Sequence, residues 1–247
     1  MDEDSTANTF VFADHLILDE SPTRDFYKSM MQGLIHKNNN VLGVIQGFSS
    51  LILMDEVPAS IKENVEQMRD SATNASDLAK VILTAAGCAR VTPEVVSLSD
   101  LLPYFERSAR EVCEKCGVTL QFNARPGLPS IHADGNRVMD ILNELIKNAA
   151  EAAAGIPDGE VAIDILPPGE ASPAQDNRID FFIRNSSVDI SPEKIREFFL
   201  PFHGSKSAEH FGIGLTTAGV LAGQMNMRLG LRSVEGTTTA WLSLPAA

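Results

Sequence analysis

Basic residues, aromatics and cysteines are all scarce in this sequence. Only 20 lysines and arginines stand against 33 aspartates and glutamates, which leaves a formal charge of -13 over 247 residues. Such a charge repels nucleic-acid backbones and anionic membrane surfaces at long range, so neither is an expected partner. The three cysteines, Cys88, Cys113 and Cys116, are too few and too odd in number for a disulfide framework and suit a reducing compartment. Cys113 and Cys116 do form a CxxC, but it lies inside a helical pattern with no second pair and no nearby histidine, so both read as ordinary helix residues rather than zinc ligands. Long hydrophobic runs are missing too. The most apolar stretch, Val41 to Met54, is broken by Gln46, Ser49 and Ser50 and falls short of the ~20 residues needed to span a bilayer. The N-terminus, MDEDSTANTF, has neither the basic start nor the apolar core of a signal peptide. A cytoplasmic location is expected.

What is present is an ordinary globular hydrophobic content of 44% and two kinds of periodicity in succession. Residues 1–21 show no sustained period and read as an N-terminal extension. From Pro22 to about Asp55, the residues Tyr27, Met31, Leu34, Asn38, Val41, Ile45, Phe48 and Ile52 recur at helical spacing and predict one packed seam, with Asn38 as its only polar member. A second helix carries Ile61, Val65, Met68, Ala72, Ala75, Ala79 and Ile82 at alternating spacings of four and three. Two long helices joined by a short turn make an antiparallel hairpin, and a lone hairpin cannot cover both of its apolar seams. Residues 22–88 are therefore expected to dimerise into an all-α four-helix bundle, with the alanines at its narrow centre.

Past Gly87 the pattern changes. Residues 89–247 alternate helices with short β-type runs: a strand near Val96 to Leu98, a helix at Asp100 to Lys115, and a strand at Val118 to Asn123. A helix follows at Gly135 to Ala154, then strands at Val161 to Leu166 and Ile179 to Arg184. A short helix at Pro192 to Phe199, a helix at Gly212 to Met225, and a hairpin turning at Glu235 and Gly236 complete the chain. This mixture predicts an α+β sandwich, one sheet with helices on one face.

Four segments carry chemistry. With Leu34 at the inner seam, His36 falls on the outermost position of the turn, where a second protein can reach its imidazole; imidazole nitrogen is a good phosphoryl acceptor near neutral pH. The string LIHKNNNVLGVIQGFSSLI resembles the phosphoacceptor box of two-component histidine kinases, through His36, Asn40, Leu42, Ile45, Gly47 and Phe48. DILNELIKNAAEAA resembles the N-box of the superfamily that unites gyrase, heat-shock chaperone, histidine kinase and mismatch-repair ATPases. FGIGLTTAGVLAGQM resembles that superfamily's second glycine box, preceded by FFLPFHGSK and followed by the closing hairpin EGTTTAWLSLP. The boxes come in the family's order from about residue 25 to the C-terminus.

The resemblance implies a HisKA-like phosphoacceptor hairpin followed by an ATPase domain of the GHKL type, taking ATP and Mg²⁺. It implies that Asn148 holds the metal, with Glu144 one turn earlier aiding proton removal. Lys147, Asn185, Lys206, Gly212, Gly214 and Thr237 are implied as nucleotide-binding positions, and backbone N–H groups at the helix opened by Gly212 and Gly214 would meet phosphate oxygens. His36 would carry the phosphoryl group, and Asn40 would position the water that hydrolyses it on a partner receiver domain.

Three stretches depart from the family's pattern. Lys37 follows the phosphoacceptor where an acidic residue usually helps remove the proton, and a cation cannot be the base. In IRNSSVDI, Asn185 replaces the aspartate of the first glycine box, and Ser187 and Asp189 replace its glycines. Asn accepts a hydrogen bond without charge assistance, and losing the glycines restricts the backbone wherever positive φ is needed. His210 and Phe211 replace small residues before the second box. Nucleotide affinity is therefore expected to be weak.

Three readings follow from these residues. The first is ATP-dependent autophosphorylation on His36 and transfer to an aspartate of a response-regulator receiver domain. The second is a histidine phosphotransfer protein or response-regulator phosphatase whose ATPase-like domain has lost its chemistry. The third, prompted by Glu144, is a serine or threonine kinase of the same superfamily, which the placement of His36 on a dimer hairpin opposes. The first is preferred. The input is expected from the N-terminal residues or from a separate sensor protein.

Overall fold

The computed structural model describes residues 9–12, 22–169, 178–203 and 212–247. Contacts divide the chain into two units, Asp19–Ala89 and Arg90–Ala247, with Met1–Leu18 joined to the second.

The smaller unit is a helical hairpin. Helix α1 spans Pro22–Met54 and α2 spans Ala59–Ala85. Between them Pro58 takes φ -53° and ψ 145°, an extended conformation that stops one helix and lets its carbonyl accept the first hydrogen bonds of the next. The helices pack through positions that repeat every heptad: Ile35 and Ser49, with Leu42 half-buried between them, against Val65, Ala72 and Ala79.

The seam expected on α1 is corrected by one residue. Leu34, Val41 and Phe48 are 59%, 61% and 64% exposed, whereas the residues that follow each of them face α2. Asn38 is exposed as well, and it is Asn39 whose Oδ1 is buried without a hydrogen-bond partner. The reason lies in helix geometry. Helix α1 carries apolar residues on two adjacent flanks, and the sequence pattern does not say which of them faces the neighbouring helix of the same chain. On α2 the expected seam splits the same way, with Val65, Ala72 and Ala79 buried and Ile61 and Met68 exposed.

The larger unit is the α+β sandwich. Its strands are β1 (Thr9–Val11), β2 (Glu94–Val96), β3 (Thr119–Ala124), β4 (Ile131–Ala133), β5 (Glu160–Leu166), β6 (Arg178–Ser186), β7 (Arg228–Val234) and β8 (Thr237–Pro245). Its helices are α3 (Leu98–Cys116), α4 (Gly135–Ala153), α5 (Pro192–Phe198) and α6 (Gly214–Gln224). Six strands form one sheet in the order β1-β7-β8-β6-β5-β3, antiparallel except where β3 runs parallel to β5; β2 and β4 make a separate antiparallel pair. Alternate residues of the central strands, among them Val161, Ile163, Ile165, Ile179, Phe181 and Ile183, are fully buried. Helices α3, α4 and α6 pack along the sheet, on β3, on β5 and β6, and on β7 respectively.

Helix α4 is the centre of this core. Val138, Ile141, Leu142, Leu145, Ile146, Ala149, Ala150 and Ala153 give it a buried stripe at three-and-four spacing. Each large side chain there contributes about 1.5–3 kcal/mol of burial. Asp134 caps its first turn, accepting from the Arg137 N–H at 3.2 Å, and ties the cap to the incoming chain through the Thr92 N–H and hydroxyl. Cys113 is buried in α3, and burial, then the neighbouring Cys116, push its thiol up to about 11. A thiol so reluctant to ionise behaves as a small core residue.

Most expected elements lie within two residues of the observed ones, but two strands were not anticipated. β4 is short, and β1 falls in the segment read as having no period. The strand and helix expected from Val96 and Asp100 each begin two residues earlier, because Ser97 occupies the N-cap position.

Candidate functional site

The face of α4 opposite its buried stripe carries Asn143, Glu144, Lys147 and Asn148, all half-buried. A spacing of four puts Glu144 and Asn148 one above the other, and the Asn148 Nδ2 donates to Glu144 Oε1 at 2.8 Å. The first turn of α6 arrives at the same place. Gly214, its first residue, sits so close that a β-carbon there would run into the Glu144 carboxylate. Two residues earlier, Gly212 takes φ 64°, the left-handed region that glycine enters without strain. Residues singled out from two separate sequence boxes, Glu144 and Asn148 from one and Gly214 from the other, thus meet at one point.

Asn185 lies in β6, 5% exposed, between Val161 of β5 and Thr238 of β8. Its Nδ2 donates to the Ser186 carbonyl at 2.9 Å, which leaves the amide oxygen as the acceptor toward a ligand. Thr237 is exposed at the start of β8, opposite Ser186. Lys206, His210 and Phe211 lie outside the described residues.

Where glycines were missing from the first box, side chains form a network that sequence reasoning did not foresee. The Ser187 and Thr238 hydroxyls are 2.8 Å apart, and Thr238 donates to Ser233 Oγ at 3.3 Å. Ser233 Oγ in turn accepts from the Ile190 N–H, and Asp189 accepts from the Gly236 N–H at 2.7 Å. Neither Ser187 nor Asp189 is at positive φ, so neither position needs glycine in this chain. The strain moves to the β7–β8 turn, where Glu235 and Gly236 take φ 50° and 71°, as a two-residue hairpin requires. The run of small hydroxyl residues in SSVDI and GTTT was the available signal.

In the hairpin unit His36 and Asn40 are both exposed, four residues apart on one face of α1, with Lys37 exposed beside them. The seam correction leaves His36 outside the packed face, since it follows the buried Ile35. Asp134, at the other end of α4 from Asn148, has a shifted acidity. Burial alone would raise its pKa, but the N–H groups of Thr92 and Arg137, the Thr92 hydroxyl and the Arg137 charge outweigh it and hold the carboxyl below the ordinary 3.8.

Residues 133–247 match the family model of the histidine kinase-, DNA gyrase B-, and HSP90-like ATPases. The sensor histidine kinase ZraS of Salmonella typhimurium is 24% identical over 219 residues, which covers 87% of this chain and 45% of that protein. The sensory histidine kinase/phosphatase NtrB of Rhizobium leguminosarum bv. phaseoli is 23% identical over 159 residues, covering 62% of this chain and 41% of that one. The chain therefore spans less than half the length of these relatives. Among solved structures, full-length ShkA in complex with AMPPNP superposes with a TM-score of 0.72 over 89% of this chain and 46% of that one, at 20% identity. Histidine kinase ThkA in complex with the response regulator TrrA gives 0.55 at 17% identity, over 89% of this chain and 61% of that one. Among the described residues no helix is long and apolar enough to cross a membrane.

Proposed function

We infer that this relative of two-component histidine kinases, whose residues 133–247 carry the family's ATPase domain, is itself a protein histidine kinase that moves the γ-phosphoryl group of ATP to His36 and from there to an aspartate of a response-regulator receiver domain. The observation that carries the reading is the convergence of Glu144, Asn148 and Gly214. An amide oxygen and a carboxylate beside a helix opened by glycine suit a hard divalent cation and the phosphates it accompanies. Asn148 would hold Mg²⁺, which, when bound, neutralises charge developing on the transferred group. The neutral acceptor at Asn185 would take the amino group of adenine, and the N–H groups at Gly212 and Gly214 would face phosphate oxygens.

In the transfer a bond forms between an imidazole nitrogen of His36 and the γ-phosphorus, the bond from that phosphorus to the bridging oxygen breaks, and ADP leaves with the electron pair. The imidazole gives up its ring proton. Lys37 cannot accept it, so the acceptor is another carboxylate or water. In the second step an aspartate oxygen of the receiver takes the phosphoryl group and His36 regains a neutral ring. Asn40, exposed on the same face, would then orient the water that hydrolyses the receiver's phosphoryl group.

We also assign a homodimer through residues 22–88, on the support of the apolar flank that α1 leaves uncovered: Phe26, Leu34, Val41, Val44, Phe48 and Leu51 are each more than half exposed in one chain. A cytoplasmic location goes with this reading. The relay or phosphatase alternative is not favoured, because the ATPase domain keeps the residues that would hold metal and phosphate.

The test is incubation with Mg-ATP labelled at the γ-phosphate. Acid-labile, base-stable label that disappears in His36→Ala is the expected result. No label, or label on the alanine variant, would overturn the reading.

A further inference from the structure

Strand β1 forms one edge of the sheet and pairs with β7, Thr9 opposite Arg232 and Val11 opposite Gly230. Its aromatic side chains reach further than an edge strand needs. Phe10 and the following Phe12 are 8% and 2% exposed, and both rings pack on Phe199, the residue that ends α5, with centroids 4.9 and 5.4 Å away. Phe12 also lies over the middle of α6. A β-carbon at Gly219 would stand 2.5 to 2.7 Å from three atoms of that ring. Glycine inside a helix is disfavoured relative to alanine, and the seat for Phe12 is the physical reason for it here.

From Phe12 the contacts continue without a gap to the candidate nucleotide site. The Phe199 carbonyl accepts from Thr216 Oγ1 at 2.9 Å, in the first turn of α6. That turn begins at Gly214, which abuts Glu144, which in turn holds Asn148. The ring thus touches the end of α5 and the body of α6 together.

We propose that Phe12, assisted by Phe10, is a positioning residue for the nucleotide site: β1 clamps the end of α5 to α6 and so fixes Gly214 against the Glu144–Asn148 pair. This rests on the nucleotide reading given above. Release of β1 frees α6 to shift and weakens nucleotide binding without altering any residue that touches the nucleotide.

The test compares full-length Phe12→Ala, Phe12→Leu and Gly219→Ala. The last is the sharpest, because alanine favours the helix while its β-carbon expels the ring. Amide hydrogen exchange is read at β7 and at Gly214 to Thr217, and affinity for Mg-AMPPNP by calorimetry. In Phe12→Ala and Gly219→Ala exchange should accelerate at both places and affinity should fall about fivefold or more, as expected when preorganisation is lost; Phe12→Leu should stay near wild type. Faster exchange at β7 with an unchanged first turn of α6 and unchanged affinity would overturn the clamp. Should wild type bind no nucleotide, the functional reading falls instead, and exchange at Gly214 to Thr217 still decides the clamp: acceleration supports it and no change overturns it. Should Phe12→Ala fail to fold by circular dichroism, Gly219→Ala carries the same outcomes.

Discussion

Glu144 and Asn148 share a hydrogen bond, yet their substitution should fail in different ways. Asn148→Asp replaces a neutral amide by a second carboxylate beside Glu144. Two like charges on one helix face repel, and the metal geometry changes with them. Nucleotide binding should therefore become more dependent on Mg²⁺ concentration. Glu144→Gln keeps the shape and can still accept from Asn148, so binding should survive while the rate of His36 labelling falls. Calorimetry against Mg²⁺ and single-turnover labelling separate the two. Asn185 calls for the opposite kind of change. Restoring a charged acceptor with Asn185→Asp should tighten nucleotide binding by about tenfold, the ~1.4 kcal/mol of one charge-assisted hydrogen bond. Equal affinity in the two proteins would mean that this side chain does not meet the base.

At the scale of elements, α4 depends on its cap. Removing the carboxylate with Asp134→Ala should lower unfolding stability by ~1 kcal/mol, with more lost because the Thr92 N–H is left unpaired. The folded carboxyl is held below 3.8, so its contribution is fully present above that pH and is lost as pH falls beneath it. Wild type and variant should therefore differ at pH 7 and converge in acid, a comparison that urea titrations at several pH values make directly. The hairpin makes a separate prediction. Phe48 is 64% exposed in one chain, so Phe48→Glu should leave helix content intact while sedimentation shows monomers, because burying an unpaired carboxylate at the proposed interface is costly.

These elements also show what the sequence could and could not tell. The long helices, the buried stripe of α4 and the β7–β8 hairpin were legible because each repeats its own period several times. The seam of α1 was displaced because two apolar flanks differ by a single residue, and a one-dimensional pattern carries no label for the neighbour. Strand β1 escaped because three residues hold too little alternation to register. The pairing of Glu144 with Asn148 followed from helix spacing alone. That Gly214 would close on them, and that serines and an aspartate would tie down IRNSSVDI, required the tertiary fold, since the partners come from distant parts of the chain.

On the scale of the whole molecule, most of the sheet joins strands adjacent or one place apart in sequence: β5 with β6, β7 with β8, β3 with β5 and β6 with β8. The exception is β1, which pairs with β7 across almost the full length of the chain. Closing so large a loop is slow compared with forming a hairpin. During synthesis the ribosome makes this strand well before its partner β7, so Phe10 and Phe12 must wait, solvated, while the helical hairpin and most of the core assemble. In refolding after dilution from denaturant, the β7 amides should consequently gain exchange protection later than those of β5 and β6. Until that late step the nascent chain carries a bare aromatic strand and an open sheet edge, the combination on which chaperones and aggregation both act.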